Sequence, residues 1–231
     1  MTSYSKEDFL IMLKNASKNM QTFYQQGLVN YVGTLKGTKE KYSEFTAKYL
    51  IEKFHLFNEI KTINRESSYK IKSHKGEIIN YASGRDEEIM AKFLYKQKYI
   101  GDLGEVLDYQ VPLKNVQKDE KIGKIDLLSY DKTNEILYLL ELKKPDSKET
   151  MIRCVLEIYT YKNILNHEKL IKDYNLPKST KIVAAPFVYS RGYQKKDHND
   201  KHPYLLDLMD KLNIKPYYYD VKITEQYIVA F

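Results

Sequence analysis

Two neighbouring apolar stretches joined by a short polar turn constrain the fold of this chain more than any other feature. Residues 122–130 and Ile136–Leu142 each have the length and the apolar content of a largely buried strand. The turn between them, at residues 131–134, reads Asp-Lys-Thr-Asn, which is typical of a tight chain reversal. Apolar residues then recur at helical spacing over residues 151–159, and we predict that this helix begins at residues 145–147. The sequence therefore predicts a β-hairpin followed directly by a helix.

The remaining patterns place this hairpin within a larger sheet. Three acidic residues at 86–88 precede apolar positions at helical spacing, which predicts a helix before the hairpin. The other predicted strands are residues 106–113, Lys181–Tyr189, 217–219 and 227–229. The order helix, strand, strand, strand, helix, strand predicts an α/β (α+β) fold built on a mixed sheet.

The sequence also predicts a division of the chain into three parts. Residues 1–65 form an N-terminal helical segment, residues 66–83 a polar connection, and residues 84–231 the core domain. The N-terminal segment carries no motif that indicates chemistry. Dimerisation, partner docking and a simple packing extension are all open roles for it, so a homodimer is among the expectations.

The charge balance favours a polyanionic partner. The 231 residues include 38 Lys and Arg against 31 Asp and Glu, which gives a net charge of +7. Basic surface gains affinity for nucleic acid by releasing counterions from the phosphates, so we expect a nucleic-acid partner, DNA in the first place. The alternative is that the abundance of lysine and tyrosine reflects an AT-rich genome.

Other classes of protein are not favoured. No apolar run approaches the roughly 18 to 20 residues that a membrane helix needs, and the polar start does not resemble a signal peptide. The single cysteine, Cys154, cannot form a disulfide within the chain. These features predict a cytoplasmic protein without a membrane partner.

Asp126, Glu141 and Lys143 carry the chemistry that the sequence indicates. Side chains alternate along a strand, so Glu141 and Lys143 point to one face and Leu142 to the other. A short hairpin can bring Asp126 beside Glu141. Two carboxylates with few other ligands suit Mg²⁺, and a nearby lysine can orient a water or offset phosphate charge. The pattern indicates metal-dependent phosphodiester hydrolysis, although Glu-X-Lys alone also occurs as a cross-strand ion pair.

These residues lie in two motifs that resemble those of a known family. The segments Gly-Lys-Ile-Asp-Leu-Leu at residues 123–128 and Leu-Leu-Glu-Leu-Lys-Lys at residues 139–144 resemble the PD-(D/E)XK nuclease superfamily, which has the restriction-endonuclease-like fold. The predicted order of elements from residue 84 to residue 189 is similar to the αβββαβ core of that superfamily. The proline of the family name is missing, since Ile125 precedes Asp126.

The resemblance implies a role for each site residue. Asp126, Glu141 and the backbone carbonyl of Leu142 would hold Mg²⁺, for which Mn²⁺ could substitute, and Lys143 would be the catalytic lysine. A glutamate on the first core helix would join them. Glu87 matches best, because Met90 and Leu94 follow it on the buried side, while Asp86 and Glu88 are the alternatives.

Some members of the family carry Gln-X-X-X-Tyr on the helix after the lysine. The corresponding positions here are Glu157 and Tyr161, with Arg153 one turn earlier, and the glutamate in place of glutamine leaves the role of Glu157 open. These three residues would support the site.

Two alternatives stay open. The first is a catalytically inactive module of the same fold that binds nucleic acid or a protein partner. The second concerns His198 and His202, whose spacing of four near Asp197 could bind a metal on a helix. Because charged and polar residues surround them, we predict a solvated loop there instead.

Overall fold

The computed structural model of the chain describes residues 3–74, 85–115, 122–199, 202–222 and 227–230. The α-helices among these are α1 (Lys6–Ala16), α2 (Tyr42–Glu52), α3 (Asp86–Gln97), α4 (Met151–Ile164), α5 (His167–Asp173), α6 (Tyr193–Asn199) and α7 (Pro203–Leu212). The strands are β1 (Glu105–Pro112), β2 (Lys124–Asp131), β3 (Ile136–Leu142), β4 (Lys181–Tyr189), β5 (Tyr217–Lys222) and β6 (Tyr227–Ala230). Short 3₁₀ segments connect several of them.

The strands form one mixed sheet in the order β1-β2-β3-β4-β5-β6. The first three are antiparallel neighbours, β4 runs parallel to β3, β5 runs parallel to β4, and β6 is antiparallel to β5. The crossover from β3 to β4 contains α4, as a parallel connection requires. The predicted α/β fold with a mixed sheet, preceded by N-terminal helices, is confirmed.

Helices cover both faces of this sheet. On one face, Ala91 and Leu94 of α3 pack in a buried cluster with Leu140 and Leu142 of β3. On the other face, Leu139 belongs to a larger buried cluster with α4. The N-terminal segment contributes residues such as Phe9, Phe23 and Leu50 to this larger cluster. The segment therefore shares one hydrophobic core with the sheet and α4.

The register of the central strands positions the candidate carboxylates. Leu127 pairs with Leu140 in the antiparallel β2–β3 ladder, so continuing that register by one residue places Asp126 beside Glu141. On the other side of β2, the pairs that flank Asp126 place Gln110 of β1 opposite it. Gln110 has a φ of 49°, an uncommon value for a residue other than glycine, so β1 changes direction at this point.

Two sequence-based predictions of local structure were wrong. The helix after the hairpin begins at Met151 and not at residues 145–147, because Thr150 is its N-cap and accepts a hydrogen bond from the Arg153 amide. Residues 143–150 therefore form a loop between β3 and α4, here called the β3–α4 loop. The predicted solvated loop near His198 is instead the helix α6, in which Asp197 is buried.

Two further expectations can be placed only in part. The predicted connection at residues 66–83 includes the 3₁₀ turn Lys72–His74, and residues 75–83 lie outside the described residues. The three-part division of the chain stays a prediction. None of the helices in the described ranges combines the length and the apolar character that crossing a membrane would take.

Candidate active site

Asp126 lies at the start of β2, where two hydrogen bonds hold its carboxylate. Gln110 donates through Nε2 to Oδ1 at 2.7 Å, and the Leu142 amide donates to Oδ2 at 3.0 Å. Burial raises the pKa of Asp126 to about 7, even though the charge of Lys143 opposes the shift. The bond from Leu142 links the carboxylate directly to the end of β3.

Glu141 and Lys143 lie on the same side of β3, as strand alternation predicts. The Lys143 ammonium is 2.7 Å from Glu141 Oε1, and the two residues are only 3% and 4% exposed. The side chain of Leu142 between them is packed in the buried cluster on the opposite face. These contacts agree with the predicted orientation of the three side chains.

Lys143 is the centre of a wider group of acids. Its ammonium lies 2.9 Å from Glu149 Oε2 and 3.6 Å from Glu157 Oε2 in addition to its contact with Glu141. Burial by itself lowers the pKa of Lys143, but the charges of Glu141 and Glu157 outweigh it and raise that pKa well above its usual value. Lys143 is therefore positively charged at neutral pH.

The pKa of Glu141 is shifted by burial and by the same group of charges. Burial raises its pKa well above the usual value, and the charges of Asp126 and Glu157 raise it further, while Lys143 acts against them. Asp126 thus lies close enough to Glu141 for its charge to disfavour the ionised form of Glu141. A single lysine faces more buried carboxylate than it can neutralise, and an added cation would relieve this excess of negative charge.

The helix α4 carries Arg153, Glu157 and Tyr161, which the resemblance named as supporting residues. The Tyr161 hydroxyl donates to Glu157 Oε1 at 2.8 Å, and Arg153 Nε is 3.2 Å from Glu149 Oε1. Arg153 and Tyr161 therefore hold Glu149 and Glu157, the two acids outside β3 that contact Lys143. Gly123 permits this arrangement, since a Cβ atom at that position would lie 1.9 Å from the Tyr161 hydroxyl.

An open cavity of about 370 Å³ lies in front of Asp126. Its lining residues come from α3, β1, β2 and the β3–α4 loop: Arg85, Asp86, Glu87, Glu88, Gln110, Asp126 and Lys144. Glu141 and Lys143 do not line it and are buried behind it. The cavity is here called the acidic cavity, because acids outnumber bases in its lining.

Glu87 is the acid of α3 that is directed to the core of this site. Its Oε1 accepts a hydrogen bond from the Lys144 amide at 3.4 Å, and its charge contributes to the raised pKa of Asp126. Asp86 instead pairs with the Lys144 side chain, and Glu88 pairs with Arg85 and Lys92. The contacts therefore favour Glu87 over its two neighbours, in line with the sequence-based choice.

The donor set fits a hard divalent cation that keeps part of its water shell. The available donors are carboxylate oxygens, which Mg²⁺ prefers, and Asp126 reaches the open cavity where water and phosphate can enter. No three His, Cys, Asp or Glu side chains of the described residues are already arranged to hold a metal ion together. The residues present fit Mg²⁺ bound through carboxylate and backbone carbonyl oxygens together with waters.

Sequence reasoning missed two residues of this site. Gln110 binds Asp126, but it lies in the preceding strand and only the strand register reveals its position opposite that aspartate. Glu149 contacts Lys143 from the β3–α4 loop, where the sequence predicted a helix. An acidic residue shortly after the Glu-X-Lys motif is the one sequence signal that could have indicated it.

No protein-family model matches this chain, and no curated protein or solved structure is significantly similar to it. The functional argument therefore depends on the residues and on their geometry.

Proposed function

We propose that this chain is a metal-dependent nuclease of the PD-(D/E)XK, restriction-endonuclease-like superfamily and that it hydrolyses phosphodiester bonds in DNA. One observation carries the proposal. Leu127 and Leu140 form the last pair of the β2–β3 ladder, and Asp126 and Glu141 are the next residue along each strand, with Lys143 in contact with Glu141 and Glu87 approaching from α3. This combination of acids and a lysine is the one that the resemblance implies.

Asp126 and Glu141 would hold Mg²⁺, or Mn²⁺ in its place, with the Leu142 carbonyl and Glu87 as further oxygen donors. A divalent cation bound there would neutralise charge on the scissile phosphate and lower the pKa of a water molecule. Gln110 fixes the direction of the Asp126 carboxylate through its hydrogen bond. The carboxylates thus act chiefly by holding the ion.

Lys143 would act on the reacting groups. Because its ammonium is charged, it can donate hydrogen bonds to a phosphate oxygen or to the attacking water. To do so it must exchange part of its contact with Glu149 or Glu157 for the substrate. Arg153 and Tyr161 restrain those two glutamates and so set the position from which Lys143 moves.

The charge around the cavity is compatible with a polyanionic substrate. Arg85 and Lys144 line the acidic cavity on the side of α3 and the β3–α4 loop, and they offer cations next to the carboxylates. The chain as a whole carries a net charge of +7. Surplus basic charge favours binding to the DNA backbone, whereas the local acids attract the metal ion.

Plasmid nicking and degradation of single-stranded DNA test this proposal. The wild type is assayed with Mg²⁺, with Mn²⁺ and with EDTA, beside Asp126→Ala, Glu141→Ala and the control Asp146→Ala. Asp146 is a carboxylate of the neighbouring β3–α4 loop, with a side chain that is 78% exposed. We expect activity in either metal, none in EDTA, and none in the two site variants. Cleavage that persists in EDTA, or in Glu141→Ala, would contradict the mechanism.

A second candidate function has a specific observation in its favour. Lys143 is nearly buried and has three carboxylates within 3.6 Å, which is also the arrangement of a structural ion network. In that case the chain would be a catalytically inactive module that binds nucleic acid or a protein partner. Binding of DNA without cleavage under any metal condition would favour this alternative.

A further inference from the structure

A second cavity, of about 660 Å³, opens where the N-terminal segment meets the β3–α4 loop. Tyr4, Tyr31, Val32 and Tyr42 line it from the N-terminal side, and Lys148 lines it from the loop. No acidic side chain of the described residues contributes to its lining. Aromatic rings beside a lysine distinguish it from the acidic cavity.

The cavity continues past Tyr31 into a smaller one of about 290 Å³. Both are lined by Tyr31, Val32 and Gly33, and the smaller one adds Lys196 of α6. The acid in its lining, Asp197, is buried and accepts a hydrogen bond from the Met151 amide. We call the two cavities together the tyrosine groove. Its accessible charge is positive, opposite in sign to that of the acidic cavity.

The tyrosines of this groove contact one another and hold the ring of Tyr31 in a defined orientation. The rings of Tyr4 and Tyr31 are stacked, with centroids 5.5 Å apart and planes within 2° of parallel. Tyr42 meets Tyr31 edge to face, which fixes the orientation of that ring. Val32 is 46% exposed between the two parts of the groove. Preorganised rings of this kind suit stacking against another flat aromatic group.

The β3–α4 loop connects the groove to the proposed active site. Lys144 lines the acidic cavity, and Lys148, four residues later, lines the groove. A fully extended chain spans at most about 3.6 Å per residue, so these two positions lie within about 14 Å of each other. That length corresponds to about four stacked nucleotides of one strand. A substrate strand in the acidic cavity can therefore also reach the groove.

The end of this loop is fixed to the N-terminal segment. The Thr150 amide donates to Asn30 Oδ1 at 2.7 Å, and the Thr150 hydroxyl donates to the Val29 carbonyl at 2.9 Å. Asn30 precedes Tyr31 in sequence, so the groove tyrosine and the loop that carries Lys143 and Glu149 are held in one arrangement. The N-terminal segment thus helps to hold the loop that carries two residues of the proposed active site.

We infer that the tyrosine groove binds single-stranded nucleic acid, with a base stacked on Tyr31 and flanking phosphates bound by Lys148 and Lys196. The inference rests on the proposed function, because it assigns the substrate of the same site. A base in a duplex is stacked on its neighbours and paired, whereas a single strand presents its bases freely to aromatic rings. The substrate class would be a single strand, or a duplex with a single-stranded end.

Equilibrium binding in EDTA tests the inference, because cleavage is then suppressed. Fluorescence anisotropy is measured with labelled single-stranded DNA, single-stranded RNA and duplex DNA of the same sequence, each of about 12 nucleotides. The variants are Tyr31→Leu, Tyr31→Phe and Lys148→Glu. The controls Tyr99→Leu and Lys132→Glu change a 60% exposed tyrosine and a lysine at the far end of β2. Thermal melting checks that each variant is folded.

We expect Tyr31→Leu to weaken single-strand binding by about 5- to 150-fold, the effect of losing one stacked base. Tyr31→Phe, which keeps the ring, should stay within about 2-fold of wild type, and so should both controls. Lys148→Glu, on an exposed residue, should weaken binding even if Tyr31→Leu fails to fold. A preference for RNA or for DNA identifies the natural strand, and either one supports the inference.

Wild-type affinity in both Tyr31→Leu and Lys148→Glu would overturn the inference, as would equal losses for duplex and single strand. The same preparations are then assayed for Mg²⁺-dependent cleavage with Glu141→Ala as the comparison. Cleavage that depends on Glu141 while the groove variants bind normally would refute the groove alone. Groove-dependent binding without any cleavage would refute the nuclease alone.

Discussion

Replacing Asp126 by asparagine should stabilise the metal-free protein at alkaline pH. An aspartate whose pKa is raised in the folded state keeps its proton there after the unfolded chain has lost it. The folded state therefore loses stability as the pH rises from about 4 to about 7, the pKa of Asp126. Asparagine has no proton to lose, so the variant does not undergo this loss.

The size of the stabilisation follows from the shift in the pKa of Asp126. The pKa of Asp126 rises from an ordinary value of 3.8 to about 7, and each unit corresponds to about 1.4 kcal/mol, which gives an upper limit of about 4 kcal/mol. Asp126 lines the open cavity and is partly exposed, so water screens the charge and we expect about half of this limit, about 2 kcal/mol. For a chain of this length that corresponds to a rise in Tm of about 4 to 8 °C.

The hydrogen bonds at this position survive the change. The amide oxygen of asparagine can still accept from the Leu142 amide, and Gln110 can turn its own amide to accept from the new NH₂ group. The change from carboxylate to amide in these two hydrogen bonds should therefore offset little of the gain in stability.

Thermal unfolding in EDTA at pH 4 and at pH 8 measures the prediction. Asp126→Asn should melt above wild type at pH 8 and close to it at pH 4, and added Mg²⁺ should stabilise only the wild type. The matched control, Asp146→Asn, removes the same charge from an exposed side chain and should change the free energy of unfolding by less than about 0.5 kcal/mol. An Asp126→Asn variant less stable than wild type at pH 8, or one with the same shift at both pH values, would refute the reasoning.

Three further predictions follow from particular contacts and charges. Gly123→Ala places a Cβ atom against Tyr161 and should lower the free energy of unfolding by about 1 to 3 kcal/mol in urea, whereas Gly27→Ala, which meets no atom within 4 Å, should not. Asp108→Asn should cost about 1.5 to 3 kcal/mol in the same assay, because the buried carboxylate accepts from Tyr174 at 2.6 Å and from His74 at 2.6 Å; unchanged stability would argue against this network. DNA affinity should fall steeply with salt, and a flat dependence would favour the genomic explanation of the lysine content.

Local patterns were sufficient to predict the strands of the site. The largely apolar stretches Ile136–Leu142 and Lys181–Tyr189 are mostly buried, and both strands begin and end where the pattern predicts. Alternation along β3 was enough to place Glu141 and Lys143 on one side. These features depend on neighbours in sequence, which is why the sequence alone reveals them.

Competition between local signals explains where prediction failed. Residues 145–147 and Thr150 both offer helix start signals, and only the contacts of Thr150 with Val29 and Asn30 decide between them. The run around His198 reads as solvated, yet Asp197 is buried because it binds the first turn of α4. Tertiary contacts determine both the start of α4 and the burial of Asp197, and these contacts cannot be deduced from a single sequence.

The partners of Lys143 illustrate the same limit within the site. Glu141 follows from the spacing of the motif, whereas Glu149 and Glu157 come from the loop and from α4. Their convergence on one ammonium depends on the path of the β3–α4 loop. The full set of acids around Lys143, which keeps its ammonium charged, could therefore be seen only in the structure.

The most direct test of the account is the single-turnover rate of DNA cleavage by Lys143→Met in Mg²⁺. Methionine keeps most of the volume of the lysine stem and removes the ammonium, and Lys132→Met at an exposed position is the control. If Lys143 acts on the reacting groups, cleavage should slow by about 10² to 10⁴-fold, while DNA affinity stays close to wild type and calorimetric Mg²⁺ affinity does not fall, because loss of the ammonium leaves the carboxylates less neutralised. A Lys143→Met rate equal to that of wild type would contradict the account.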